Sequence, residues 1–221
     1  MCGVNMPASV NAVVVGGCLL SFAQSVDLQD QQDIQDCLLY AELAANEKYP
    51  GQASRKAWFD YFQGRLLKTG YTLKTIVPAE PIRVNSVHQL LSASYRVMGS
   101  VGVERLGQLF KDTYKALRLD EFAWEFFRSN VAKGGSGILK CAPCERLASG
   151  EVIVCLLGLR YSATVIESDF FLWREFDREL AIIPDGGVFV FDRRAFENYR
   201  KRVHEKIEAY SKKVFVRKLQ S

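Results

Sequence analysis

Residues 151–161 read EVIVCLLGLRY. In a strand, side chains alternate between two faces, which puts Val152, Val154 and Leu156 on one side and Ile153, Cys155 and Leu157 on the other. Both sets are apolar, so the strand belongs in the middle of a sheet with cover on both sides. Helices must supply one of those covers.

Similar apolar runs lie at 137–143, 169–177 and 187–192, separated by Ser149-Gly150, Glu167-Ser168 and Pro184-Asp185-Gly186-Gly187. That spacing predicts an antiparallel meander. Phe170-Phe171-Leu172-Trp173 places bulky groups on both faces of one strand. This suits a core first, and also a protein interface or a lipid-contacting surface.

Before residue 137 the period is helical. Ile34, Leu38, Ala41 and Ala45 recur at helix spacing, Asp30 and Asp33 fall in the first turn where the dipole favours acids, and Tyr49-Pro50-Gly51 ends the run. A second helix starts near Ala53 with Trp58, Tyr61, Phe62 and Leu66 on one face, and Gly70 is placed for a left-handed cap. Tyr71, Leu73, Thr75 and Val77 alternate as a half-buried strand before Pro78 and Pro81 make a turn. Ser86 can cap a helix with Val87, Leu90, Leu91 and Val97, and another spans Val103, Leu106, Phe110, Tyr114 and Leu117, with Gly99 and Gly102 between them. Phe122 to Phe127 fits a short helix or a strand, with helix preferred. Asp192 is a natural N-cap for a last helix with Phe196, Tyr199, Val203, Ile207 and Tyr210 as its buried stripe.

Several of these segments, Leu38 to Lys48 (LLYAELAANEK), Trp58-Phe59-Asp60-Tyr61-Phe62, and Leu66-Leu67 with Gly70-Tyr71, resemble an uncharacterised family of bacterial proteins. The resemblance covers Leu20 to about Val77 and returns around 151–173. It implies a fold family and no particular reaction. The basic C-terminal helix and the cysteine pair are peculiar to this chain.

With 48% hydrophobic and 24% charged residues the composition is that of a globular protein, and no run approaches the roughly 18 apolar residues that cross a bilayer. A length of 221 residues favours one domain, 1–221: an apolar N-terminal segment (1–23), a mainly helical half (27–130), and a β-meander with a C-terminal helix (137–213). The net charge of +4 conceals a polarity: residues 1–54 hold six acids and one base, Lys48, whereas 193–221 hold ten bases and three acids. Val10 to Ala23 is uncharged, but no Lys or Arg precedes it as a secretory signal requires. It reads as a packed strand or helix of the mature protein, with a lipoprotein-like box (Val15-Gly16-Gly17-Cys18) and a membrane-touching segment as alternatives. Six scattered cysteines are not a secreted disulfide framework, so a reducing cytoplasm is the expected location.

Cys141-Ala142-Pro143-Cys144 is the sharpest chemical motif, a candidate thiol pair. A thioredoxin-like CxxC opens a long helix, whereas here Ser149-Gly150 interrupts and a strand follows. Only Cys155 could join the pair on a metal, so no metal site is expected. His88 and His204 lack a nucleophile arrangement, and Gly134-Gly135-Ser136-Gly137 lacks the strand-loop-helix context of a phosphate loop. Among the C-terminal bases, Arg194, Arg200, Lys201, Arg202, Lys206, Lys212 and Lys213 are candidate contacts to an anionic surface, or to this protein's own acidic N-terminal half. Nucleic acid is disfavoured because no recognition motif accompanies the charge.

These readings predict an α+β protein: an N-terminal helical half packed on a C-terminal antiparallel sheet of about four to five strands, closed by the basic helix. They favour a non-enzymatic interaction protein, with no cofactor, acting through a protein-binding surface toward a protein partner or itself. One alternative is a membrane-associated or membrane-active bacterial effector that uses the apolar segment and the basic helix on an anionic membrane surface. The other is a thiol-redox protein using Cys141 and Cys144.

Overall fold

The computed structural model describes residues 11–50, 54–84, 86–131, 136–162, 180–210 and 215–219. In chain order these form β1 (Asn11–Val15), β2 (Cys18–Phe22), α1 (Leu28–Lys48), α2 (Arg55–Leu66), β3 (Tyr71–Ile76), β4 (Ile82–Val84) and α3 (Val87–Ser100). There follow α4 (Glu104–Leu119), α5 (Glu121–Val131), β5 (Ser136–Arg146), β6 (Val152–Ser162), β7 (Leu180–Phe191), α6 (Arg193–Ala209) and β8 (Val216–Leu219).

The fold is mixed α and β, and its sheet is larger than the sequence predicts. Eight strands run in the order β3-β7-β6-β5-β2-β1-β8, with β4 also on β7. The sheet is also mixed rather than antiparallel, because β2 lies parallel to β5, Cys18 opposite Lys140 and Phe22 opposite Cys144. The apolar N-terminal stretch supplies the additional inner strands. Its hairpin turns at Gly16-Gly17, pairing Val15 with Cys18, and sends Ala12, Val14 and Leu19 to one core and Val13, Val15, Cys18, Leu20 and Phe22 to the other. These residues, read alternatively as a membrane-touching segment, are therefore interior sheet. The period-2 pattern was hidden because both faces are apolar.

The doubly apolar strand at 151–161 is β6, central as expected, and helices cover both of its faces. Ile153, Cys155 and Leu157 pack with Val97 and Met98 of α3, Leu106, Phe110 and Leu117 of α4 and Ala123 of α5. Val152, Val154 and Leu156 pack with Ile34 and Leu38 of α1, Phe59 and Phe62 of α2 and Phe196 and Val203 of α6. The result is three layers, helix on sheet on helix. Gly158 sits where α2 comes down on β6: a Cβ there would lie 2.5 Å from Cζ of Phe59.

Pro184-Asp185-Gly186-Gly187, expected to separate strands, lies inside β7, which stays paired with β6 throughout, Leu157 opposite Gly186 and Leu159 opposite Pro184. Gly186 has φ +126, and a Cβ there would strike the Leu156 carbonyl oxygen. The glycine admits close approach of a neighbouring strand instead of making a turn. The chain also ends differently from the expectation: after α6, β8 returns to pair with β1. The predicted strand 169–177, with Phe170 to Trp173, lies outside the described residues.

Local signals placed the helices well. Ser86 accepts from the Gln89 amide at 3.3 Å and Asp192 from the Arg194 amide at 2.8 Å, so both act as N-caps. Residues 121–131 are helical. No helix among the described residues is long and apolar enough to cross a membrane.

Candidate functional site

The acids of the N-terminal region and the bases of the C-terminal region meet along α1 and α6. Asp27, Asp30, Asp33 and Asp36 recur every three residues, so they share a side of α1 near its start. Arg193 binds Asp27 and reaches Asp30 at 2.6 Å. Arg200 holds Asp33 through both terminal guanidinium nitrogens, one at 3.0 Å. His204 Nε2 lies 3.1 Å from Asp36, and Lys206 pairs with Glu47. Arg146 of β5 closes the upper end on Asp27 at 2.7 Å and on Asp30. Asp33 is 0% exposed, a position where a carboxylate needs such partners. The Asp33 hydrogen bond, then that of Glu197, holds the Arg200 guanidinium above its ordinary value.

This pairing sorts the candidate anionic-surface contacts. Arg200 and Lys206 bind α1. Lys201 points to solvent, 3.9 Å from Glu205, and Arg194 is exposed. Lys212 and Lys213 lie outside the described residues. Arg202 is exposed with no partner among the described residues, and it lines a cavity of about 140 Å³.

That cavity lies between α1, the turn after α2, and α6. Its wall includes Tyr40, Arg65, Lys68, Thr69, Tyr199 and Arg202, and no carboxylate among the described residues. Arg65 donates to the Tyr61 hydroxyl and stacks on that ring at 4.5 Å. The Thr69 hydroxyl donates to the carbonyls of Arg65 and Leu66, both at 3.1 Å, and so caps the end of α2. Tyr40 is 6% exposed. Apart from Arg202, none of these residues was a site candidate in the sequence, because three separate helices contribute them and no local spacing connects the three; Tyr199, expected in the buried stripe of the last helix, is 39% exposed.

Cys141 and Cys144 are unpaired and buried. Three residues apart in one strand, they face opposite sides of the sheet: Cys141 joins the core under α3–α5 and Cys144 the core under α1, α2 and α6. Sulfur atoms on opposite faces cannot meet in one disulfide without moving the strand. Burial raises both thiols well above their usual value, opposite to what an attacking thiolate requires. Cys155, the possible third ligand, faces the same core as Cys141. Among the described residues no cluster of three or more His, Cys, Asp and Glu could hold a metal. His88 is exposed on α3. Gly134 and Gly135 lie outside the described residues.

A second buried ion pair went unnoticed in the sequence. Lys140 of β5 reaches Glu42 of α1 at 2.8 Å, and its ammonium lies 4.5 Å from the Trp58 ring centre and 5.3 Å from that of Phe62. The Gly17 amide donates to both Glu42 oxygens at 3.0 and 3.1 Å, and a Cβ on Gly16 would fall 2.5 Å from one of them. The two glycines that resembled a lipoprotein box thus cradle a carboxylate, followed by the buried Cys18.

No protein-family model and no curated protein matches the chain. Among solved structures it is similar to the Evf virulence factor, with a TM-score of 0.43 and 13% identity over 88% of this chain and 80% of that one.

Proposed function

We propose that the protein is a non-enzymatic interaction protein that engages a protein partner, or a second copy of itself, where β8 meets α4 and α5. The observation that supports this is Leu119 at 79% and Phe122 at 63% exposure, side by side at the α4–α5 junction. Beside them lies an edge strand: among the described residues β8 pairs with β1 alone. Phe122 is 5.9 Å from the Phe215 ring, Phe126 stacks on Phe215, and Arg217 lies over Phe122 while bonding Asp120 at 2.7 Å. Large apolar groups set around an open strand edge, rimmed by charge, are the usual anatomy of a protein-binding surface.

A photo-crosslinking residue at position 122, introduced into the protein in the cell that makes it, tests the reading. A discrete protein adduct is expected, lost when Leu119→Asp is added. Lys56, exposed on the far helical layer, provides the control position. Equal labelling from positions 122 and 56, or no adduct from either, defeats the proposal.

A further inference from the structure

We propose that the cavity between α1, the end of α2 and α6 binds one tetrahedral oxyanion, either phosphate itself or the phosphoryl end of a small ligand. The inference is independent of the surface at β8.

Charge is the first ground. Arg65, Lys68 and Arg202 line one hollow, and no acid does so among the described residues. Elsewhere on α6, Arg193, Arg200 and Lys206 each have a carboxylate. Gathering three like charges around one small space costs Coulomb energy that a bound anion relieves. The negative end of α2 accounts for a cation at Arg65 or Lys68. It does not account for Arg202, in the middle of α6.

Tyr40 is the second ground. It is nine-tenths buried, it lines the cavity, and its hydroxyl makes no hydrogen bond with the described residues. The hydroxyl is not among the side-chain oxygens sealed from solvent without a partner, so on the cavity wall it can donate to an oxyanion in place of water.

Size is the third ground. The cavity of about 140 Å³ matches the roughly 150 Å³ that admits a benzene-sized guest. It accommodates one phosphoryl group and is too small for a whole nucleotide. Arg202 can grip two phosphate oxygens with its planar fork, and Lys68 supplies a mobile point charge.

Calorimetric titration with inorganic phosphate, at ionic strength held constant with chloride, tests the site. Saturable one-site binding is expected for the intact protein. The Lys68→Ala/Arg202→Ala variant should bind about tenfold or more weakly, and Tyr40→Phe about fivefold more weakly. Lys68 and Arg202 are exposed, and Tyr40→Phe keeps the buried ring, so these variants should retain the fold. Phosphatidic acid vesicles separate the two sources of the group. Cosedimentation that free phosphate reverses supports the site with a lipid headgroup as its source, and phosphate binding without cosedimentation supports it with a soluble one. No saturable binding by the intact protein, or unchanged affinity in the double variant, overturns the site.

Discussion

The ammonium of Lys140 and the carboxylate of Glu42 lie 2.8 Å apart, joining the middle of β5 to α1 beneath the Trp58 and Phe62 rings. Removing one partner from a buried pair leaves an uncompensated charge, so Glu42→Gln or Lys140→Met should each destabilise by about 3–5 kcal/mol. Replacing both with apolar residues of similar volume should recover part of that loss, the remainder being the Gly17 amide left without its acceptor. Urea denaturation of the two single variants and the double variant checks this; additive losses would mean that the two residues act separately.

Gly158 and Phe59 are complementary across the sheet–helix interface. Gly158→Ala puts a methyl into the space the Phe59 ring occupies and should cost about 1–3 kcal/mol. Adding Phe59→Leu should make the alanine much less costly. A double-mutant cycle reads the coupling, and zero coupling would contradict the contact.

Acid should loosen the molecule in a predictable window. The Asp27 and Asp120 carboxyls sit below their ordinary 3.8. At Asp27 burial pushes upward, and the Asp30 amide with Arg193 and Arg146 outweighs it; at Asp120 the hydrogen bond from Arg217 leads. A carboxyl with a depressed folded value stabilises the protein above its unfolded value, and that stability is lost as pH falls through the folded value. The Tm should therefore begin to fall below about pH 4. Asp27→Asn, which keeps a capping side chain, should flatten this acid limb. Asp36, raised by burial, acts in the opposite sense.

The thiols should be inert in the folded protein. Burial pushes Cys18 and Cys155 up to about 12 and raises Cys37, Cys141 and Cys144. With Cys2, which lies outside the described residues, changed to Ser, an aromatic disulfide reagent at neutral pH should label the protein only as fast as it unfolds. Rapid labelling of Cys141 or Cys144 in the native state would support a redox role.

By itself the sequence determined the local elements. Helical period and capping chemistry placed α1, α2, α3, α4 and α6, because Ser86, Asp192 and the Ile34–Ala45 stripe act through neighbours within one or two turns. The doubly apolar run at 151–161 identified a central strand, and the charge polarity indicated which ends could attract. Only the tertiary structure decided which groups meet. The parallel pairing of β2 with β5 joins residues more than 100 positions apart, and the passage of β7 through Pro184–Gly187 depends on a neighbouring backbone that no local pattern encodes. Arg200 became an internal partner of Asp33 while Arg202, two residues on, was left facing a cavity. A helix rotates successive side chains by 100°, and only the packing of α6 against α1 and α2 set which direction was inward.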